Sequence, residues 1–295
     1  MMQQLSIGNI VNLGLYLYRS RLKLYFKLAL TAHLWLLIPI YGLAKFYTIA
    51  GLMSRLAFQD LVGNSENLQS AKSRVNRQIW NFLFTGILVN IIVFIFFILF
   101  YLLLSLIAGL IFFIITLSSG GLLRINSTYP FGNWLFAIIL VPTVIIIYLS
   151  PFWFYSWLFV TDLPLVVEKK VNSFKAIGKS WQLTKGYIRR VLGTIFISIL
   201  ITLPVLTVSW FVCSLLLGGV LGIFFQSFLQ QPDNDSLIGT LILVSINTVS
   251  GLFTMPFWQA VKAAMYYDIL CRKEGFDLKL SNSTSQEQLE LESEF

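Results

Sequence analysis

The side chains of this chain that could do chemistry are the few ionisable and amide groups set within or beside long apolar runs. His33 is the only histidine and lies in the run 24–43. An imidazole there could carry a proton or bind a ligand, because ionisable groups inside a membrane are functional candidates by default. It has no Cys or acidic neighbour in sequence, so a neutral, hydrogen-bonded member of a bundle is the expectation. No pair of His, Cys or carboxylates has metal-ligand spacing, and neither a metal nor another cofactor is expected. No phosphate-binding P-loop and no G-x-S-x-G nucleophile elbow occurs. Nucleotide hydrolysis and serine-hydrolase chemistry therefore lack their residue sets, and the chain is expected not to be an enzyme.

Carboxylates and amides at the edges of the apolar runs come next. Glu168 closes Leu163-Pro-Leu-Val-Val-Glu168, and Asp268 stands in Tyr266-Tyr267-Asp268. Arg272 follows Asp268 at the i,i+4 spacing that supports a helical salt bridge. A transporter could use such acids for protons. Both sit near water, so structural ion pairing by Asp268, Arg272 and Glu168 is expected instead. Asn90, Asn247 and Gln259 lie deep in apolar runs, where they could line a polar path; hydrogen bonding between helices is the commoner use.

The elements that must position these groups are set by charge and hydropathy. Residues 80–117, 134–160, 191–229 and 237–261 carry no Asp, Glu, Lys or Arg. Of 21 Lys and Arg residues, all but Lys45 and Arg124 fall in 1–27, 54–78, 161–190 and 262–295. About 20 apolar residues cross a bilayer core, and Lys/Arg-rich loops stay cytoplasmic. Six membrane segments result: 24–43, a weak 44–58 containing Lys45 and Arg55, and the four charge-free runs. Pro39 is expected to bend the first, and Pro142, Pro151, Pro204 and Pro256 to kink the later ones. The linkers 118–133 and 230–236 are poor in basic residues and look external, so each long run is taken as one helix. Both termini are then cytoplasmic, and no cleaved signal peptide is expected.

Three basic stretches read as amphipathic helices. Ser6–Leu22 places Ile7, Ile10, Val11, Leu17 and Tyr18 on one face and is expected to lie in the headgroup plane. Asn172–Arg190 places Phe174, Ile177, Trp181 and Ile188 opposite Lys175, Lys179, Gln182, Gly186 and Arg189. The two align without gaps, Ser6 with Ser173 and Lys23 with Arg190, and Leu68–Trp80 is a fainter third copy. Each precedes an apolar hairpin, which suggests a three-fold parallel repeat with units of about 5–62, 64–162 and 168–270. The net charge of +8 sits beside apolar segments, so anionic lipid is a better match than nucleic acid. Lys175, Lys179, Lys185, Arg189 and Arg190 are the expected headgroup contacts. The tail 281–295, with four Glu and no base, reads as disordered.

Two stretches resemble a known family. Leu163–Arg190 has a Pro, a hydrophobic pair, Glu, then a Ser-Trp-x-Leu-Thr-x-Gly helix and basic residues. Pro256-Phe-Trp-Gln-Ala, Tyr266-Tyr-Asp and Arg272-Lys-Glu-Gly-Phe-Asp277 resemble its closing signature. The family is the membrane domain attached to some glycerophosphoryl diester phosphodiesterases and found in many other integral membrane proteins. The resemblance implies a membrane-domain fold and a link to lipids. It does not carry the hydrolase, whose barrel uses paired His and acidic metal ligands that these residues do not supply. Leu270 departs from the family pattern, which has its first Arg after the Asp at that position.

The expected fold is all-α: one polytopic membrane domain over residues 1–280, with cytoplasmic amphipathic helices. The expected location is a bacterial inner (plasma) or internal membrane. The expected function is a non-catalytic, lipid-interacting accessory or scaffold protein, its partners being anionic lipids and a further protein or a second copy. The rival reading is a transporter of a lipid or amphipathic solute.

Overall fold

The computed structural model describes residues 5–64, 66–118, 130–168, 171–220 and 234–275. Among them every regular element is a helix: α1 Ile7–Ser20, α2 Leu22–Trp35, α3 Tyr41–Leu61, α4 Leu68–Asn76, α5 Ile79–Ser118, α6 Pro130–Tyr155, α7 Asp162–Val167, α8 Ser173–Thr184, α9 Ile188–Cys213 and α10 Asn234–Glu274. A 3-10 turn, Ser156–Leu158, links α6 towards α7, and a π-helical stretch, Ser214–Val220, prolongs α9. Local signals set several boundaries. Ser6 Oγ accepts the Asn9 N–H at 3.2 Å and caps α1, and the Asn67 side chain caps α4 through the Gln69 N–H. Pro151 lacks the N–H that would bond to the Ile147 carbonyl, and the Ser150 hydroxyl donates to that carbonyl at 2.9 Å instead.

Among the described residues, three helical stretches are long and apolar enough to cross a membrane: Ile79–Ile111, Val141–Val167 and Ile188–Leu216. Their outer surfaces are apolar, with Phe94, Leu99, Leu110, Leu149, Phe196 and Phe211 all exposed. The packed core is centred on the second half of α10 and takes in only the ends of these stretches, through residues such as Phe82, Leu163 and Val191. Met265, Tyr266 and Ile269 there are wholly buried, and α1, α2, α3, α7 and α9 surround them. The chain is thus a tightly packed half joined to long, laterally exposed apolar helices.

The first apolar hairpin differs from the sequence expectation. The run 24–43 is not one helix: α2 ends at Trp35 after 14 residues, about 21 Å, against about 30 Å of hydrocarbon core. Pro39 lies in the turn between α2 and α3 rather than inside an arm. The second arm, α3, is the longer, and its stretch from Thr48 to Phe58 is buried against α10, α5 and α7. The turn itself is an exposed apolar tip, with Leu37 81% and Ile40 69% exposed.

Helix α1 also departs from expectation. Its apolar face, Ile10, Val11, Gly14 and Leu17, is buried against α10 and α9 rather than left to face outward. Gly14 permits the contact, because a Cβ there would lie 2.9 Å from Val261 Cα. In α8 the aligned face is turned out: Phe174 is 76% exposed and Trp181 38%. Its buried side is Ser173, Ala176, Ser180, Leu183 and Thr184. The Ser180 and Thr184 hydroxyls both donate to the Trp157 carbonyl at 3.0 Å, and that hydroxyl docking fixes which side faces in. The gapless alignment of the two stretches therefore does not extend to equivalent packing.

Candidate functional site: internal ion pairs, a polar cavity and a basic surface

The acidic side chains whose surroundings are described are each matched to a cation. Asp268, 3% exposed, receives Arg190 Nε and Arg272 Nε, both at 2.9 Å from Oδ2. Arg272 also donates to the Leu5 carbonyl at 3.1 Å, tying α10 to the start of α1. Glu168 pairs with Lys179 at 2.6 Å and accepts the Tyr266 hydroxyl at 3.0 Å. Arg55, almost fully buried, pairs with Glu66 at 2.6 Å and donates to the Val166 carbonyl. Arg21 pairs with Asp60 at 2.6 Å. Burial raises the Asp60 carboxyl above its ordinary range, and the Arg21 guanidinium opposes that rise.

A polar cavity of about 260 Å³ lies between α3, α5, the end of α6 and α10. Asp162 and Lys262 form its charged end, with Lys262 Nζ 3.4 Å from Asp162 Oδ2. The Ser54 hydroxyl donates to Gln259 Oε1 at 2.7 Å and lies 3.3 Å from the same Asp162 oxygen. At the other end Asn90 donates to the Gly86 carbonyl at 2.7 Å, with Tyr47 Oη 3.4 Å away. Asp162 Oδ1 and Thr85 Oγ1 are buried with no hydrogen-bond partner among the described residues. Phe46, Phe82, Val89 and Met255 supply apolar wall. The arrangement can hold water or a small amphipathic solute, with Asn90, Gln259 and Lys262 among the polar groups that line it.

The expected site residues divide among these features. The Asp268–Arg272 pair forms as the spacing implies, with Arg190 as a third member. Glu168 stands apart from it and meets Lys179. Of the five expected headgroup contacts, Lys179 and Arg190 are thus held in internal pairs, whereas Lys175, Lys185 and Arg189 are exposed. His33 Nδ1–H donates to the Ala29 carbonyl of its own helix at 2.8 Å, and its ring meets Phe46 edge-on. Gly251 makes room for the ring: a Cβ there would lie 2.4 Å from His33 Nε2. Gln259 and Asn90 border the cavity. Asn247 is exposed on α10 and bonds to the Leu243 carbonyl at 2.8 Å. Leu270, where the family pattern has Arg, is buried in the core, and Arg190 supplies the second guanidinium to Asp268 from another helix.

Asp162 and Lys262 were missed from sequence, although a signal existed. Each is the first charged residue after a charge-free run, 134–160 and 237–261. Two such boundary charges of opposite sign can neutralise one another where their helices converge. The basic surface was easier to anticipate. Arg19, Lys23, Lys27, Lys72, Arg74 and Arg77 are exposed on one part of the chain, and Lys175, Lys185 and Arg189 on another. No acidic side chain whose surroundings are described is exposed. Compared with protein-family models, curated proteins and solved structures, the chain matches none.

Proposed function

We propose that this is a non-catalytic integral membrane protein whose basic cytoplasmic surface engages anionic lipid and holds the packed half against the bilayer. One observation carries it: the described acids are neutralised inside the fold, while the surplus Lys and Arg stand exposed beside apolar surface. Each exposed base near an anionic membrane contributes about 1 kcal/mol. In α8 the exposed Phe174 and Trp181 share a helix with Lys175, the composition of an element seated at the headgroup level. In the proposed topology α5, α6, α9 and α10 cross the membrane, with both termini cytoplasmic. The α2–α3 hairpin then dips its apolar tip into the bilayer, in place of the first two of six sequence-based segments. A bacterial plasma or internal membrane is the proposed location.

The two stretches that resemble the diesterase-associated membrane domain meet through Glu168–Tyr266, Arg190–Asp268 and Lys273 with the Gln182 carbonyl. That mutual packing supports a shared fold as part of the proposal. The test is native mass spectrometry of the full chain released from nanodiscs of mixed anionic and zwitterionic lipid. Retained anionic lipid, reduced when Lys175, Lys185 and Arg189 are changed together to Gln, supports the role. Equal retention of both lipid classes by the unaltered protein defeats it.

A second reading, transport of a lipid or amphipathic solute, has the polar cavity in its favour. Asn90, Gln259 and Lys262 in its lining are polar groups a passing solute could meet. Solute uptake into proteoliposomes that is lost with Asn90→Leu, in a protein that still folds, would favour this second role.

A further inference from the structure

Lys45 breaks the pattern of internal charge matching. Arg21, Arg55, Lys179, Arg190, Lys262 and Arg272 each meet a carboxylate. Lys45, partly buried on α3, meets none among the described residues. Its Nζ lies 3.3 Å from Asn76 Oδ1, 6.0 Å from the Trp35 ring centre and 5.7 Å from that of Tyr41. A partly desolvated ammonium held by an amide oxygen and ring faces lacks the counter-charge that would offset its desolvation.

The same ammonium borders a cavity of about 330 Å³ between α2, α3 and α4. Two more lysines, Lys27 from α2 and Lys72 from α4, line it, and among the described residues no carboxylate does. Its floor is apolar and buried, formed by Ile49, Leu52 and Val75. Trp35, at the end of α2, also lines the cavity and leads directly into the exposed apolar tip 36–40. Three lysines from three helices thus share a mainly apolar cavity with Trp35, the residue that precedes the exposed apolar tip. The volume falls at the lower end of the range for small-ligand pockets, roughly 300–1,000 Å³. It suits a headgroup and the first part of one chain.

We propose that this pocket binds one anionic amphiphile, its phosphate head held by Lys27, Lys45 and Lys72 and its chain lying over Ile49 and Leu52 towards the hairpin tip. The assignment rests on the proposed lipid-binding role and narrows it to a saturable site. Lysines act here as point charges on phosphate, so Lys45→Arg retains binding while Lys45→Gln loses it.

The experiment uses the purified full chain in non-ionic detergent, titrated with dioctanoyl phosphatidate, dioctanoyl phosphatidylcholine or inorganic phosphate. The expected result is one-to-one binding of the phosphatidate, with the choline lipid and inorganic phosphate much weaker. Lys27→Gln with Lys72→Gln, both surface changes that leave the core intact, is expected to weaken phosphatidate about 30-fold, the product of two headgroup contacts. Unchanged affinity in that double variant overturns the proposal. So does phosphatidylcholine binding as tightly as phosphatidate. Inorganic phosphate binding as tightly as phosphatidate overturns the amphiphile and leaves a free-anion site. If phosphatidate affinity instead falls only with Lys175→Gln, Lys185→Gln and Arg189→Gln, the pocket fails and the broader lipid role stands. No phosphatidate binding by the unaltered chain removes the pocket and weighs against that broader role.

Discussion

Arg190 on α9 and Asp268 on α10 are joined by two contacts, Nε to Oδ2 at 2.9 Å and Nη2 to Oδ1 at 3.4 Å, across 78 residues of sequence. Arg272 donates to the same Oδ2 at 2.9 Å from its own helix. One nearly buried carboxylate therefore balances two guanidinium groups, and the three residues tie α9 to the end of α10.

Removing that carboxylate should be far more harmful than removing either cation. Asp268→Asn takes from Arg190 and Arg272 the carboxylate that they share. Breaking a buried pair in this way costs about 3–5 kcal/mol. Arg272→Met, by contrast, leaves Asp268 paired with Arg190 and should cost less than half as much. Unfolding of the purified protein in SDS, followed by circular dichroism, gives both values. Equal losses would show that the cluster does not act around Asp268.

The Asp162–Lys262 pair makes a prediction about coupling. Lys262→Met strands a largely buried carboxylate that already has one unpartnered oxygen, and Asp162→Asn strands an ammonium. The double variant removes both charges, so it should be more stable than the sum of the single losses predicts. Contacting residues couple by about 0.5–3 kcal/mol, and the long 3.4 Å separation points to the lower half of that range. A double-mutant cycle on unfolding free energies reads it, and strict additivity would mean that the two charges do not interact.

Asp60 sets a pH dependence at the end of α3. Burial, opposed by Arg21, raises its folded-state carboxyl above the ordinary range. Between the unfolded value of about 3.9 and that raised value, the folded chain holds a proton that the unfolded chain has lost. Stability from this group is therefore present at low pH and is lost as pH rises through the raised value. Asp60→Asn should remove that decline, so the difference in stability between variant and parent should shift in the variant's favour as pH rises. Parallel curves across the window would show that Asp60 titrates alike in both states.

How much of this was legible in the sequence depended on the range of the interaction. The Asp268–Arg272 pair could be read because helical spacing fixes it; Arg190 could not, because a tertiary approach brings α9 to α10. Charge-free runs marked the long apolar helices, while the break of 24–43 at Trp35 depended on a turn in which Pro39 and Ile40, the latter at φ 58°, carry little of the usual Gly/Asn signal. The amphipathic faces of α1 and α8 were visible as patterns, yet periodicity cannot say whether an apolar face meets protein or lipid. In α1 it meets α10. In α8 the Trp157 carbonyl claims the small hydroxyl side and leaves the aromatic side exposed. The Lys45 pocket was invisible for the same reason, since its three cations come from three helices.

Two glycines in α1 separate helix propensity from helix packing. Gly8 has open space where a Cβ would go, while at Gly14 a Cβ would lie 2.7 Å from Val261 Cγ2 and 2.9 Å from Val261 Cα. Gly8→Ala should be neutral or stabilising by up to about 0.5–1 kcal/mol, because alanine restricts the unfolded chain and favours helix. Gly14→Ala gains the same propensity but must push α1 away from the α10 backbone, and overpacking of that kind costs about 1–3 kcal/mol. The pair should therefore move unfolding midpoints in opposite directions despite sharing one helix and one substitution. If Gly14→Ala were stabilising like Gly8→Ala, α1 would not be packed against α10, and the headgroup-plane placement expected from its sequence pattern would be restored.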